Sequence, residues 1–514
     1  MCSTLELLDR GPITYESAAN KEANILNQLP HVAATKALYR SLWDQRDVIA
    51  ALAKHHLRLG HRDECVALPP CEWIRGRFNV CIPVKVTTAA CTKQVMLRCP
   101  MSYKLAESQY PGTVDEKLSC EVATYAWMQE NCSDIRIPHL YGFGFSDDRH
   151  YTHVEQRPFH VRLARRFQRH LYKLLGYSRL SLYTANPTSL RLPTAYMFIE
   201  HIGPEVGQML SNTWGSAQND DDRRQRLFRG MARIMLSLAR VPHLQIGSFR
   251  FDPDGSVVLG NRPLTCSMII LENDGALRTM QQSQTYRSTE AFVADMLTLH
   301  DDYFLAKPNA VLDDADCHGQ MAVQVILRAL SHHFIRRDQR NGPFLLQPTD
   351  LHASNIFVDA DWNVTCLVDL EWICALPAEM LAVPYWITGC GIDEIEGDRL
   401  DEFDKARQEF LHILEQEERS TSAEHGLSLS KIMQEMWDSN GVWFWFCIES
   451  VNASLCVVAQ HICPRFSMHL SSDVETTISS FWSQDSAQIV EKKRADLETY
   501  EKELRQFFGK ASCA

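Results

Sequence analysis

The spacing of apolar and polar positions divides the chain into a short strand-rich stretch followed by a long helix-rich one. Residues 1–70 carry the pattern of polar helices, ANILNQLPHV and then ATKALYRSLWDQRDVIAALAKHHLRL. From 71 to 110 short apolar runs, FNVCIPVKVT and QVMLRCPM, are broken by turn residues, which predicts strands. Pro111-Gly112 predicts a turn. From Val114 to Glu130 the period becomes helical, with Leu118, Val122 and Tyr125 on one face. Pro138 to Gly144 lead into further strand material. After an insertion at about 150–190, TAYMFIEHIG reads as a buried strand that stops at Gly203-Pro204.

The second half begins with a helix at 220–240 (LFRGMARIMLSLAR) and a hairpin pattern, IGSFRFDPDGSVVLG, centred on Asp254-Gly255. Two helices occupy 290–340. NIFVDA and VTCLVDLEW then form a second hairpin with acidic residues at its ends, and 376–514 is mostly helical and rich in aromatics. The expected fold class is α+β and bilobal. A helical N-terminal extension covers 1–70, and a small antiparallel-sheet N-lobe covers 71–200. A larger helical C-lobe covers 201–400, and 401–514 completes it, with a cleft between the lobes.

Composition narrows the function classes. At 45% hydrophobic and 23% charged residues the 514-residue chain is of globular type, and its length suits two lobes with extensions. The formal net charge of -12 argues against wholesale binding to nucleic acid or anionic membrane. One basic stretch departs from that balance: Arg162, Arg165, Arg166, Arg169 and Lys173 fall on one helix face, as a solvated surface or as a dock for an acidic partner. The 17 cysteines are scattered, without CxxC pairs, which fits a reducing compartment. The N-terminal segment is acidic and has no apolar core of a signal peptide, and no apolar run approaches the ~18 residues of a membrane span. The expected location is cytoplasmic.

The chemistry concentrates in Thr349-Asp350-Leu351-His352-Ala353-Ser354-Asn355-Ile356-Phe357-Val358 and Leu367-Val368-Asp369-Leu370-Glu371-Trp372. Phosphoryl transfer from a nucleoside triphosphate needs a carboxylate beside the attacking hydroxyl and oxygen ligands for magnesium. A D-x4-N spacing sets a carboxylate and an amide at two ends of one loop, and the hairpin returns a second carboxylate, Asp369, to the same place. These blocks resemble the H-G-D-x-H-x-x-N and I-D-W-E motifs of the aminoglycoside phosphotransferase and choline kinase-like families, which share the protein-kinase-like fold. The pattern looks closest to a fungal branch of the former. The resemblance covers roughly residues 70–390 and implies ATP and Mg2+ as cofactors and a small hydroxylated acceptor as substrate. It also implies that Asp350 acts as the base and that Asn355 and Asp369 hold the metal, with Glu371 in support. His352 reads as packing behind the loop.

The same resemblance extends to the small lobe. Gly76, Phe78 and Asn79, in Arg75-Gly76-Arg77-Phe78-Asn79-Val80, are similar to the family's G-x-x-N-x-V phosphate loop. Arg98, ending Val95-Met96-Leu97-Arg98, is the candidate phosphate cation, with Lys85 as the alternative. A helix advances about 100° per residue, so Glu121 lies within about 60° of Leu118 and faces inward with Arg98, whereas Glu116 falls roughly 160° away, toward solvent. Glu200 and Ile202 occupy the position of the inter-lobe hinge that meets a purine.

Two features set the chain apart. Pro348-Thr349 stands where these families have His and Gly, so Pro348 would stiffen the loop instead. Asp-Leu-Glu-Trp replaces Asp-Phe-Gly, and no A-P-E-like segment follows Asp369, which argues against a protein kinase. The readings that remain are a small-molecule phosphotransferase, with the aromatic tail as core or as acceptor wall, and an inactive kinase-like nucleotide-binding module with a regulatory role.

Overall fold

The computed structural model describes residues 4–8, 10–217, 220–420, 426–451 and 453–511. Helices α1 (Pro30–Asp44) and α2 (Arg46–Leu57) precede strands β1 (Glu64–Ala67), β2 (Ile74–Arg75), β3 (Asn79–Thr87) and β4 (Thr92–Pro100). Helix α3 (Thr113–Asn131) follows, then β5 (Leu140–Gly144), β6 (His150–His153), α4 (Phe159–Leu174), β7 (Tyr183–Ala185) and β8 (Tyr196–Glu200). The strands form one antiparallel sheet in the order β1-β3-β4-β8-β5-β6-β7, with β2 paired to β3.

The small lobe exceeds the expected 71–200 at its start. Strand β1 pairs with β3, and α2 lies on the sheet through Ile49, Leu52 and Ala53, which meet Val80, Ile82, Val84 and Leu97 in one core. Helix α2 covers the face of β3 that carries Val80, Ile82, Val84 and Val86, while the opposite face meets α3 at its start, where Asn79 accepts from Lys117, and leaves Lys85 exposed. The stretch at 150–190 is also partly sheet: β6 and β7 are its edge, and α4 rises between them.

The large lobe contains α5 (Asp221–Ala239), the hairpin β9 (Ser248–Phe251) and β10 (Val257–Asn261), and α6 (Cys266–Asn273). After α7 (Thr289–Ala306) and α8 (Asp314–Phe334) come β11 (Phe344–Pro348), the hairpin β12 (Ile356–Val358) and β13 (Val364–Leu367), and β14 (Ile373–Pro377). Helices α9 (Gly397–Ser420), α10 (Leu429–Asp438), α11 (Gly441–Glu449) and α12 (Ser486–Ala511) complete it. The two ends of the chain meet. Tyr500, Leu504 and Phe508 of α12 pack on Leu7, Ile13 and Ile25, and the Tyr500 hydroxyl accepts the Ile25 N–H at 3.1 Å. No helix among the described residues is long and apolar enough to cross a membrane.

Helix α3 joins the lobes, and it corrects one sequence expectation. Glu116 does not face solvent; it is 1% exposed. The helical phase was counted from one buried face, whereas α3 lies between the sheet and the β9–β10 hairpin and is buried on both sides. The hairpin docks through Ser119, whose Oγ accepts from the Phe251 N–H at 3.0 Å. Glu116 takes Arg262 Nε at 2.8 Å and Asn261 Nδ2 at 3.0 Å, and the same guanidinium binds Glu272 of α6. Burial alone would depress the Arg262 pKa, but Glu116 and Glu272 outweigh it and hold the group charged.

A buried charge stripped of its partner is expensive, so Arg262→Met is expected to cost about 3–5 kcal/mol. Differential scanning calorimetry should show a clearly lowered unfolding midpoint. A midpoint equal to that of the wild type would contradict this account of how the lobes are joined.

Candidate active site

Strand β11 pairs antiparallel with β14, Pro348 opposite Ile373, so the loop that leaves β11 and the segment that enters β14 start side by side. Within that frame β12 pairs with β13, Ile356 opposite Leu367, and the Val368 N–H donates to the Asn355 carbonyl at 2.9 Å. Asp350, Asn355 and Asp369 consequently line one cleft. Asp369 has φ 62°, in the left-handed region. That region costs an L-residue roughly 1–2 kcal/mol, and Asp tolerates it better than most.

The loop is braced from several sides, first by Thr349, which stands where the H-G-D-x-H-x-x-N pattern has Gly. Thr349 donates both its N–H (3.1 Å) and its hydroxyl (2.8 Å) to the Trp372 carbonyl. Trp386 Nε1 donates to the Leu351 carbonyl at 2.7 Å. Nδ1 of His352 accepts from the Ser354 N–H at 3.3 Å, capping the short turn 353–355, and its Nε2 lies 3.8 Å from the Asp350 carboxylate. Asn355 Nδ2 donates to the Asp350 carbonyl at 2.8 Å, which fixes the amide and leaves Oδ1 free to ligate a metal.

Arg98 reaches this hairpin from β4. Its guanidinium is 2.5 Å from Asp369 Oδ1, 2.9 Å from Glu371 Oε2 and 3.3 Å from Glu121 Oε1. Arg98, Glu121, Asp369 and Glu371 are thus in one cluster, while Lys85 points to solvent. Sequence reasoning missed Lys117, which lies against Glu371 and 3.2 Å from Glu121 while fully buried. Its signal was available: Lys117 precedes Glu121 by four positions, hence on the same face of α3. Asn79 is buried in the same cluster, donating to Glu371 at 2.8 Å and accepting from Lys117 at 3.0 Å.

Two cations face three carboxylates here, one formal negative charge in excess when all three are ionised. Burial raises Asp369, against Arg98, and Glu371 and Glu121 add to the rise. Burial also works to raise Glu371, but Lys117 and Arg98 overcome it and depress the group. Asp350 is pushed to about 7 by burial, then by Asp369 and Glu371. Oxygen donors on Asp369 and Asn355 beside uncompensated negative charge match the requirements of Mg2+, a hard cation that prefers carboxylate and carbonyl ligands. Oxygens of Glu121, Asp369 and Glu371 lie within 4.8 Å of one another, though Lys117 and Arg98 already engage the two glutamates.

The remaining sequence-derived candidates sit around this cluster. Gly76 lies at the tip of the β2–β3 hairpin, its N–H on the Asn79 carbonyl at 2.9 Å. A Cβ there would meet nothing closer than 3.7 Å, so no steric demand selects glycine. Phe78 is buried edge-on to Trp372, ring centroids 5.0 Å apart. Glu200 and Ile202 are outside the ion cluster. The Glu200 N–H is committed to the His139 carbonyl at 2.8 Å and its carboxylate to Arg136 at 3.1 Å. The Arg136 backbone carbonyl in turn accepts the Leu367 N–H at 2.9 Å, tying the end of β8 to the end of β13.

A cavity of about 370 Å3 opens beside Asp350. Its walls include Arg77, Tyr385, Trp386, Phe446 and Glu449. Part of the aromatic tail therefore lines a cavity, although Phe444 and Trp445 next to Phe446 are core. Burial raises Glu449 to about 7. Neither Arg77 nor Glu449 was singled out from the sequence, because neither belongs to a spaced motif.

The cluster yields a stability prediction. Lys117→Met leaves Glu121 and Glu371 sharing Arg98 and should lower the thermal midpoint. Adding Glu371→Gln should recover part of the loss, with a coupling of roughly 1–3 kcal/mol in a double-mutant cycle. Strict additivity would contradict the contact.

No family model and no curated protein matches the chain. Among solved structures it is similar to an ethanolamine kinase of Plasmodium vivax, at 11% identity and a TM-score of 0.35 over 85% of each chain. It is also similar to a type I macrolide 2′-phosphotransferase, at 12% identity and a TM-score of 0.29 over 82% of this chain and 96% of that one.

Proposed function

We propose that the chain is a small-molecule phosphotransferase of the aminoglycoside phosphotransferase and choline kinase-like type, which moves the γ-phosphoryl group of ATP to a hydroxyl. The observation that carries this reading is that Asp350 lies at the junction of two spaces. It lines the cleft shared with Asn355 and Asp369, and it lines the 370 Å3 cavity. One side offers oxygen donors and negative charge, the other a pocket of metabolite size.

In this reading Asp350 accepts the proton of the acceptor hydroxyl and orients it. Asp369 and the Oδ1 of Asn355 would hold Mg2+, which would supply charge neutralisation on the transferring phosphoryl group. Arg98, anchored by Glu121, contributes a permanently charged bidentate donor for phosphate oxygens, and Arg77 at the hairpin tip adds a second cation near Asp350. The backbone after β8, at His201 and Ile202, meets the base. Three aromatic rings with the Glu449 carboxylate favour an acceptor that carries a cationic amine, held by cation–π and ionic contact.

The rival reading, a nucleotide-binding module without turnover, draws on the direct contact between Arg98 and Asp369, which occupies two groups that phosphotransfer needs. A phosphorylation screen of a metabolite pool, read by mass spectrometry, separates the two. The active reading predicts a product gaining one phosphoryl group with wild type, lowered roughly 10²–10⁴-fold by Asp350→Asn while nucleotide binding persists. Asp369→Asn should remove Mg2+-dependent ATP binding in calorimetry. Glu449→Gln should raise the KM for an amine acceptor and leave the KM for ATP unchanged. ATP binding with no product from any pool would favour the regulatory module, and equal turnover by Asp350→Asn would contradict the base assignment.

A further inference from the structure

Helix α4 is oriented the opposite way from an ordinary surface helix. An amphipathic helix buries its apolar stripe and exposes its charges. Here the polar edge faces the protein. Arg165 is 6% exposed, with Nε donating to the Ser181 carbonyl at 2.9 Å and Nη2 to the carbonyls of Tyr183 and Gly255, each at 3.0 Å. Gly255 belongs to the β9–β10 turn at φ 82°, and a Cβ there would lie 2.5 Å from that guanidinium, so the turn is shaped to receive the arginine. Arg169 adds a 2.7 Å ion pair to Glu130 of α3.

This docking leaves the apolar stripe outward. Phe159, Leu163, Phe167, Leu171 and Leu174 are 74%, 56%, 69%, 42% and 84% exposed. They run along a single ridge of a helix about 24 Å long. Arg162, Arg166 and Lys173 flank the ridge on one side, and none of them has a carboxylate partner among the described residues. No acidic residue occurs from Phe159 to Tyr177. The same three cations, with His170 and Arg179, line a groove of about 870 Å3 between α4 and the segments before and after it, where Glu155 is the one acidic lining residue.

We infer that α4 docks the protein on an anionic phospholipid surface, with the apolar ridge in the acyl boundary and the cations on headgroup phosphates. Such helices carry large apolar side chains on one face and Arg or Lys beside them, and they bind through buried apolar area plus attraction to anionic lipid. A bilayer also suits the exposure: five large apolar side chains along one helix face can enter a deformable surface together. The net charge of -12 opposes general adhesion, so the contact is confined to this patch. Because β6 and β7 form the end of the sheet opposite β1, α4 stands apart from the β2–β3 hairpin, and the inference is independent of the chemistry at Asp350.

The test is co-sedimentation of the full chain with vesicles of phosphatidylcholine alone or phosphatidylcholine with phosphatidylserine, alongside analytical ultracentrifugation without lipid. Wild type is expected to sediment with the serine-lipid vesicles, less so at high salt, and to remain in solution with phosphatidylcholine. Phe159→Ser/Leu163→Ser/Phe167→Ser and Arg162→Glu/Arg166→Glu should each weaken binding by more than about tenfold with an unchanged thermal midpoint, since all five side chains face solvent. Wild type remaining in solution with serine-lipid vesicles would overturn the inference. So would undiminished binding by the apolar variant. A wild-type dimer that the apolar variant dissolves would assign the ridge to a second copy of the chain instead.

Discussion

One buried guanidinium orders the centre of the molecule. Arg98 is held by three carboxylates from two places: Glu121 on α3, and Asp369 and Glu371 beyond β13. Withdrawing such charges from water costs several kcal/mol per ion unless geometry and partners compensate. The sheet, the helix and the hairpin must therefore keep their register together, because displacing any of them strands a charge. Lys117 and Asn79 complete the compensation from the small-lobe side. With all three carboxylates ionised the balance still closes one charge short, and that remainder is what makes the cleft beside Asp350 a place for a cation.

Helix α3 carries this constraint through the molecule. Its one face meets the Arg98 cluster and its other meets Arg262 and Glu272, so the helix is tied to both lobes by ions. A helix fixed on both sides positions Glu121, and through it Arg98, with little freedom to swing. In the proposed reaction Mg2+ and the phosphates compete with an existing contact, since Asp369 and Arg98 already bind each other. Electrostatic exchange within a fixed cluster, more than movement of the helix, would then govern nucleotide entry.

The parts of the site that follow a spacing rule were legible in the sequence. The D-x4-N loop, the hairpin returning Asp369 and the helical phase that chose Glu121 each concern residues whose separation along one element sets their meeting. What the sequence did not disclose depends on surfaces from distant elements. Glu116 was placed in solvent because a phase argument assumes one buried face, and α3 has two. Lys117 stood beside Glu121 on the wheel, but a lysine on an inward face is credible only once two carboxylates are seen to receive it. Glu449 and Arg77 come together from opposite ends of the chain. For α4 the periodicity revealed a basic face, while the direction in which that face points was decided by carbonyls near Ser181 and Gly255.

The most direct test of the central claim is a crystal structure with Mg2+ and a non-hydrolysable ATP analogue. Metal is expected on Asp369 and Asn355 Oδ1, with Arg98 turned from Asp369 to a phosphate while still paired with Glu121. Lys117 should remain on Glu371. A nucleotide bound elsewhere, or Asp369 still on Arg98 with no metal beside it, would contradict the account.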